Sequence, residues 1–405
     1  MADSDATFQI GIATVDITPP VGVSLSGYGS RKGKPSTGQA HALRAEAMVC
    51  QGDGCKAWAL VTSDTIGYPR ELVMRVRDQI AAQTDLRPEQ ILISATHTHS
   101  GPGAMRTYSK KATQQEDAYR QELEAKLAQV VVDASKALRP GTFEVAWTEA
   151  PNLAHNRRVV HDDGTAENDW LDEDGKHTGY FDPAVMLVAV RRPDGTRDAL
   201  LVNYGCHPVV LGPRSMEISA DYPGYLKDLV EAETPGMTTM FALAGGGNIN
   251  PRLCIQVGAE HPKRMGETLG RIVLAAMNDL KPLAGGSTVS NQQLWSFASE
   301  RQWPQDSPRK KGDPIETEIM ALRAGDLALV SLPGELFSEY AAMLREASPV
   351  PATVVVSLAN DASGYLPVDA AMDQGGHEVT HRAASDGVEG PMMATARKAF
   401  AAVAD

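Results

Sequence analysis

Two histidines separated by one threonine, His97-Thr98-His99, follow the apolar run Ile91-Leu92-Ile93-Ser94 and precede Gly101-Pro102-Gly103. The run is short and rich in β-formers, which predicts a buried strand. Side chains alternate along a strand, so histidines at i and i+2 point to one side. The Gly-Pro-Gly stretch then breaks the strand and opens the backbone beside them. Imidazoles gathered where a sheet ends can bind a metal, relay protons, or both.

Other strand ends repeat the arrangement. A strand over 199–204 runs into Gly205-Cys206-His207, and one over 238–244 into Gly245-Gly246-Gly247-Asn248-Ile249-Asn250. A hairpin over 315–332 empties into Pro333-Gly334-Glu335, and a strand over 353–358 leads to Gly364-Tyr365. In open α/β sheets, ligands bind beyond strand ends, where loops from several strands converge. Two or three imidazole nitrogens with a carboxylate suit zinc that keeps an open position for water. Each residue also has a plainer reading. His207 can be a satisfied core histidine, Glu335 can favour the first turn of a helix through its dipole, and Tyr365 can be a turn aromatic. The three glycines can permit close packing, or offer backbone amides to an oxyanion.

The elements that must position these residues read as α/β. Strands are expected over 9–18, 43–50, 57–63 and 91–94, with a tight turn at Gly52-Asp53-Gly54. Helices are expected over 70–86, 116–138, 261–280 and 390–403, with another beginning near Glu335. Strand, helix and strand across 57–94 form a crossover unit with parallel strands. Strands over 185–191 and 199–204 form a hairpin through Pro193-Asp194-Gly195. Residues 22–38 form a glycine-rich loop of functional length, and 157–180 a polar excursion over the surface or the site mouth. The whole, 1–405, reads as one domain: a mixed β-sheet core with flanking helices and the metal site at strand ends.

Composition narrows the partners. The 405 residues carry a net charge of −13 and 42% hydrophobic residues, with no basic stripe. That argues against nucleic acid and anionic membrane surfaces. No apolar run approaches membrane-spanning length. The four cysteines show no zinc-finger spacing. No secretory signal is visible, so a cytoplasmic location is expected unless a leader has been removed. A homo-oligomer is compatible with the sequence.

In combination the motifs resemble the catalytic domain of the neutral/alkaline non-lysosomal ceramidases. The resemblance runs through Gly11-Ile12-Ala13-Thr14-Val15-Asp16-Ile17-Thr18-Pro19-Pro20, Ala95-Thr96-His97-Thr98-His99-Ser100-Gly101-Pro102, Asn156-Arg157, His207, Gly247-Asn248-Ile249-Asn250-Pro251, Gly334-Glu335 and Gly364-Tyr365-Leu366-Pro367. It implies a Zn²⁺ site held by His97, His207, Glu335 and Tyr365. It sets His99 beside the metal, as a residue that moves protons or orients water, and Arg157 near the substrate carbonyl. His41 resembles a further histidine near that site.

Two departures from the family pattern bear on function. The family's serine in Gly-Asp-Val-Ser-Pro-Asn is Asn250 here, in Gly-Asn-Ile-Asn-Pro-Arg. An amide is no nucleophile but can donate to an oxyanion. The last helix lies near 390–403, so the C-terminal β-sandwich domain of the long ceramidases is not expected here. The expected activity is zinc-dependent hydrolysis of an amide bond in a small-molecule or lipid-like N-acyl compound. Water is activated by the metal, and the oxyanion is held by Arg157 and Asn250. Ester or lactone hydrolysis at the same site is one alternative, and a non-catalytic binding protein derived from the fold is another. Asp64 and Asp221 are candidate carboxylates behind the metal histidines, and His377-Glu378 part of the substrate wall.

Overall fold

The computed structural model describes residues 7–52, 57–102, 112–172, 175, 177–300 and 310–404. Of the predicted features, Asp53 and Gly54 of the tight turn and Gly103 of the Gly-Pro-Gly stretch lie outside these residues.

Continuous apolar runs build most of the first sheet. In chain order its strands are β1 (Phe8–Asp16), β2 (Arg44–Gln51), β3 (Ala57–Ser63), β4 (Ile91–Ile93), β5 (Arg139–Glu149), β7 (Ala184–Arg191), β8 (Arg197–Tyr204) and β9 (Thr238–Leu243). The short β6 (Ala154–Asn156) lies between β5 and β7 in the chain but outside this sheet. The spatial order is β9-β8-β7-β5-β1-β2-β3-β4, and Lys281–Pro282 adds a short ninth strand against β5. The pairs β3/β4 and β8/β9 are parallel and the rest antiparallel, so the sheet is mixed, with the predicted crossover through helix α1 (Arg70–Ala81).

Both faces of this sheet are apolar because both are covered. Ala47, Val49, Ala59, Val61 and Ile93 pack on α1 and on α2 (Gln114–Lys136), through Val73, Val76, Leu127 and Val131. Val185, Leu187, Val202 and Phe241 pack on α3 (Asp221–Glu233) and α4 (Glu260–Ala276), through Leu226, Val230, Leu269 and Val273.

The opposite face meets a second sheet. Its strands are β11 (Thr288–Ala298), β12 (Pro314–Ala324), β13 (Leu327–Ser331) and β15 (Ala352–Val356), paired in that order. Ile10, Met48, Leu60, Leu92, Val188 and Leu201 interleave there with Met320, Leu322, Leu329 and Val354. The outer face of the second sheet is closed by α5 (Ser338–Glu346) and α6 (Glu389–Ala401), through Leu344, Met392, Ala396 and Phe400. The layers are therefore helix, sheet, sheet, helix.

Polar side chains staple the two sheets at one end. Asn360 accepts the Ile93 N–H at 2.8 Å through Oδ1, while its own N–H donates to the Ile93 carbonyl at 2.8 Å. Asn203 Nδ2 donates to the Ala242 and Val355 carbonyls, both at 2.8 Å. Ser357 Oγ donates to the Ala244 carbonyl at 2.6 Å. These bonds fix the carboxyl ends of β4, β8, β9 and β15 against one another, where the candidate residues lie.

One expectation changes here. Glu335 does not open a helix. It lies in the two-residue strand β14 (Glu335–Leu336), parallel to β16 (Tyr365–Leu366), with Glu335 opposite Tyr365. The helix starts three residues later, at Ser338.

Candidate active site

His97, His99, His207, Glu335 and Tyr365 converge at the stapled end. His97 does not get there by strand alternation, since β4 stops at Ile93. His97 adopts a left-handed backbone, φ 74°, which turns its ring back toward His99. Such a φ is uncommon outside glycine and carries strain that surrounding structure must hold. Here the His97 N–H donates to the Thr65 carbonyl at 2.9 Å.

The imidazoles are anchored by backbone. His97 Nδ1–H donates to the Ile66 carbonyl at 2.7 Å, and His207 Nδ1–H to the Gly246 carbonyl at 2.5 Å. Each bond leaves Nε2 as a lone pair facing the centre. Glu335 Oε2 lies 3.3 Å from His97 Nε2 and 3.2 Å from His207 Nε2, while His99 Nε2 is 3.2 Å from His97 Nε2. Lone pairs crowded this closely repel unless a cation or proton lies among them. The donor set therefore fits a divalent metal of the imidazole-preferring kind. The ring nitrogens of His97, His99 and His207 all lie within 4.8 Å of one another, close enough to face one ion.

Electrostatics agree. Burial, with Arg157 nearby, pulls His207 down to about 4. Burial and His97 take His99 well below its ordinary value. Burial pushes the Glu335 carboxyl up, but the adjacent His97 and His207 outweigh it and hold the group well below the usual range. His99 and His207 are thus neutral imidazoles beside a carboxylate, the protonation states a metal requires of its ligands. Burial, reinforced by Glu335, raises the Tyr365 phenol.

The other half of the site is a guanidinium held by side chains. Arg157 is 3% exposed. Its Nε donates to Glu378 Oε1 at 2.7 Å and Nη1 to Asn250 Oδ1 at 2.9 Å. Nη2 donates to the Gly247 carbonyl at 2.7 Å and to the Tyr365 hydroxyl at 3.1 Å. Trp170 lies over the guanidinium, 5.0 Å from ring centroid to Cζ. Asn250 Nδ2 donates to the Trp170 carbonyl at 3.2 Å and faces Cys254 Sγ at 3.6 Å.

Several sequence expectations are redirected by these contacts. The triple glycine is a packing device, not an amide cradle. A Cβ at Gly247 would fall 2.5 Å from the Glu335 carbonyl oxygen, and the Gly247 N–H already donates to the Leu336 carbonyl at 2.5 Å. The stretch instead supplies carbonyls, from Gly246 to His207 and from Gly247 to Arg157. Asp64 is not behind a metal histidine. It binds Lys227 Nζ at 2.7 Å and the Arg44 N–H at 2.9 Å in a buried ion cluster. Asp221 accepts the N–H groups of Leu211 at 2.9 Å and Tyr222 at 2.7 Å, ordering the chain just after His207. His41 is held by Asp228 on α3, at 2.8 Å from Nε2, outside the site's hydrogen-bond set.

Other contributors carried little signal in the sequence. Glu378 is fully buried and binds Arg157, Arg158 Nη1 at 3.1 Å and Asn168 Nδ2 at 2.8 Å. Burial raises its carboxyl, yet Arg157 brings it down to about 2. His377, its neighbour, does form wall: its ring sits 5.5 Å from Tyr365 and 5.2 Å from Trp170. The glycine-rich loop grips His99. Tyr28 meets the ring edge-on at 4.9 Å, and Arg31 Nη1 donates to the His99 carbonyl.

A sequence model described as neutral/alkaline non-lysosomal ceramidase, N-terminal, matches residues 8–261, more than half of the chain. The chain belongs to this family. Neutral ceramidase A of Dictyostelium discoideum is 23% identical over 263 residues, covering 61% of this chain and 36% of that protein. Neutral ceramidase 3 of Arabidopsis thaliana is 28% identical over 161 residues, covering 38% of this chain and 22% of that protein. The chain thus spans about a third of the first of these relatives and less of the second. The crystal structure of neutral ceramidase from Pseudomonas aeruginosa superimposes with a TM-score of 0.80 at 18% identity, over 98% of this chain and 74% of that one. A structure of a ceramidase complexed with C2 gives a TM-score of 0.79 at 16% identity, over 99% and 75%. The mixed-sheet α/β fold of the ceramidase family is therefore the fold of this protein.

Proposed function

We propose that this ceramidase-family chain is a metal-dependent hydrolase of amide bonds in N-acyl compounds. His97, His207, Glu335 and Tyr365 would hold Zn²⁺. The observation that carries the reading is the crowding of two carbonyl-anchored Nε2 lone pairs around one Glu335 oxygen. A divalent metal held by these residues would supply Lewis-acid polarisation of an acyl oxygen and a lowered water pKa, the chemistry that amide hydrolysis needs near neutral pH.

The chain's own residues divide the remaining work. His99 Nε2 takes the proton released by the attacking water and returns it to the leaving nitrogen. Arg157 Nη2 fixes the Tyr365 hydroxyl and sets positive charge beside the developing oxyanion. Asn250, whose amide hydrogens face Trp170 and Cys254, acts by holding Arg157. It does not donate to substrate. With no serine at that position, direct attack by water is the balanced route: water supplies hydroxyl to the acyl carbon and a proton to the amine.

The test is turnover of matched amide and ester pairs, short-chain ceramide among them, by Zn²⁺-loaded protein. Amide cleavage that vanishes on chelation and in His97→Ala is expected. Equal turnover in the chelated protein, or cleavage of esters alone, would sink the proposal.

A further inference from the structure

The excursion beside the site holds a second pair of histidines. His155 lies on β6 opposite Asn250, which belongs to strand β10 (Ile249–Pro251). His155 is 3% exposed, and neither ring nitrogen has a hydrogen-bond partner. The ring of His177 stands edge-on to it, centroids 5.0 Å apart. The His177 side chain is 8% exposed; its Nε2 is 3.0 Å from Asp169 Oδ2, and its Nδ1 is buried without a partner.

Three buried ring nitrogens on two neighbouring rings are thus unpaired. Buried polar groups left unsatisfied are costly, so an occupant is favoured. The chemistry of the pair names its kind. Asp169 accepts the His177 Nε2–H, which leaves Nδ1 as a lone pair; carboxylates commonly orient metal-binding imidazoles in this way. Burial, with His177 adding to it, pulls His155 down to about 4, so it too offers a lone pair. Two further carboxylate contacts bound the pocket: Asp172 accepts the His177 N–H at 3.3 Å through Oδ1 and Arg252 Nη1 at 2.7 Å through Oδ2. Neutral imidazoles select Zn²⁺, Ni²⁺ or Cu²⁺ over Mg²⁺ or Ca²⁺.

We propose that His155 and His177 form a second transition-metal site, separate from the His97 centre, with Asp169 orienting His177 and water completing the coordination. An ion there ties His177, and through it Asp169, to the strand pair β6/β10. That pair carries Asn250, and Trp170, the residue after Asp169, supplies the carbonyl that Asn250 binds. The site is thus a clamp behind the guanidinium half of the active site.

The experiment is a Zn²⁺ titration of the chelator-stripped full chain, counting equivalents and following the melting temperature. His177→Ala and His155→Gln are each expected to bind one equivalent fewer than the unsubstituted chain and to lose part of the Zn²⁺-dependent rise in melting temperature. Full retention of equivalents in both overturns the site and assigns the pocket to water. If His155→Gln does not fold, His177→Ala decides alone. His97→Ala, titrated in parallel, reports on the catalytic reading independently, because it removes a different equivalent.

Discussion

The two halves of the active site are held by different means. His97 and His207 are fixed by main-chain carbonyls, Ile66 and Gly246, at the ends of stapled strands. Arg157 is fixed largely by replaceable side chains, Glu378 and Asn250, brought from separate parts of the chain. Carbonyl anchoring survives any substitution that preserves the backbone. Side-chain anchoring does not. The histidine half is therefore a property of the fold, whereas the guanidinium half can be retuned by single substitutions.

The sharpest break in this contrast is expected from His207→Ala, which should reduce turnover to background while the backbone anchors keep the melting temperature near that of the unsubstituted chain. Glu378→Ala should do the reverse in stability. Stranding Arg157 and Arg158 beside a missing carboxylate should cost about 3 kcal/mol. Turnover should fall roughly 100-fold through misplacement of Arg157, with the metal equivalent retained. Denaturant unfolding and metal analysis of the two variants separate the halves. Asn250→Ala is a milder version, removing one acceptor from Arg157. About a tenfold loss of kcat/KM is expected, and a loss as large as that of His207→Ala would show that Asn250 acts on the substrate directly.

The histidine half was the more legible in the sequence, because its residues follow strands that read as strong apolar runs. Those strand ends made His97, His207, Glu335 and Tyr365 candidates, and the family resemblance joined them into one set. What the sequence could not convey was how they are held. The left-handed turn at His97 falls on a residue type with no strong preference for it, and carbonyl anchors have no side-chain signature. Glu335 looked like a helix start because its strand is two residues long, too short for a periodicity. Glu378 was expected only as part of the substrate wall, beside His377. A charged residue in a late loop gives no sign of burial, and only tertiary pairing with two arginines makes it the anchor of Arg157. The second sheet was visible as hairpins, but not its face-to-face packing on the first.

Smaller effects test the supports. Gly27 has φ 89°, and a Cβ there would fall 2.4 Å from the His99 ring. Gly27→Ala should lower kcat by roughly tenfold or more, the scale of proton-transfer assistance, without loss of metal. Unchanged kcat would remove His99 from the proton pathway. The smallest effect lies far from both halves, at His41–Asp228. Burial lowers His41, but Asp228 outweighs it and raises the imidazole above its unfolded value. Burial raises Asp228, but His41 brings it below its own. The pair therefore stabilises between the unfolded pKa values of roughly 3.9 and 6.5, and its contribution is lost as pH rises through the raised His41 value or falls through the lowered Asp228 value. Asp228 is half-exposed, so the contribution should stay under about 1 kcal/mol. His41→Gln should cost more stability at about pH 6 than at about pH 8.

The central claim is that Glu335 and two carbonyl-anchored imidazoles are a metal centre. The measurement that meets it most directly is the Zn²⁺ binding isotherm of the chelator-stripped chain beside that of Glu335→Gln, which keeps the size of the side chain and removes its charge. The predicted result is loss of the tightest equivalent in the variant, with the other equivalent unchanged. Identical isotherms would contradict the account.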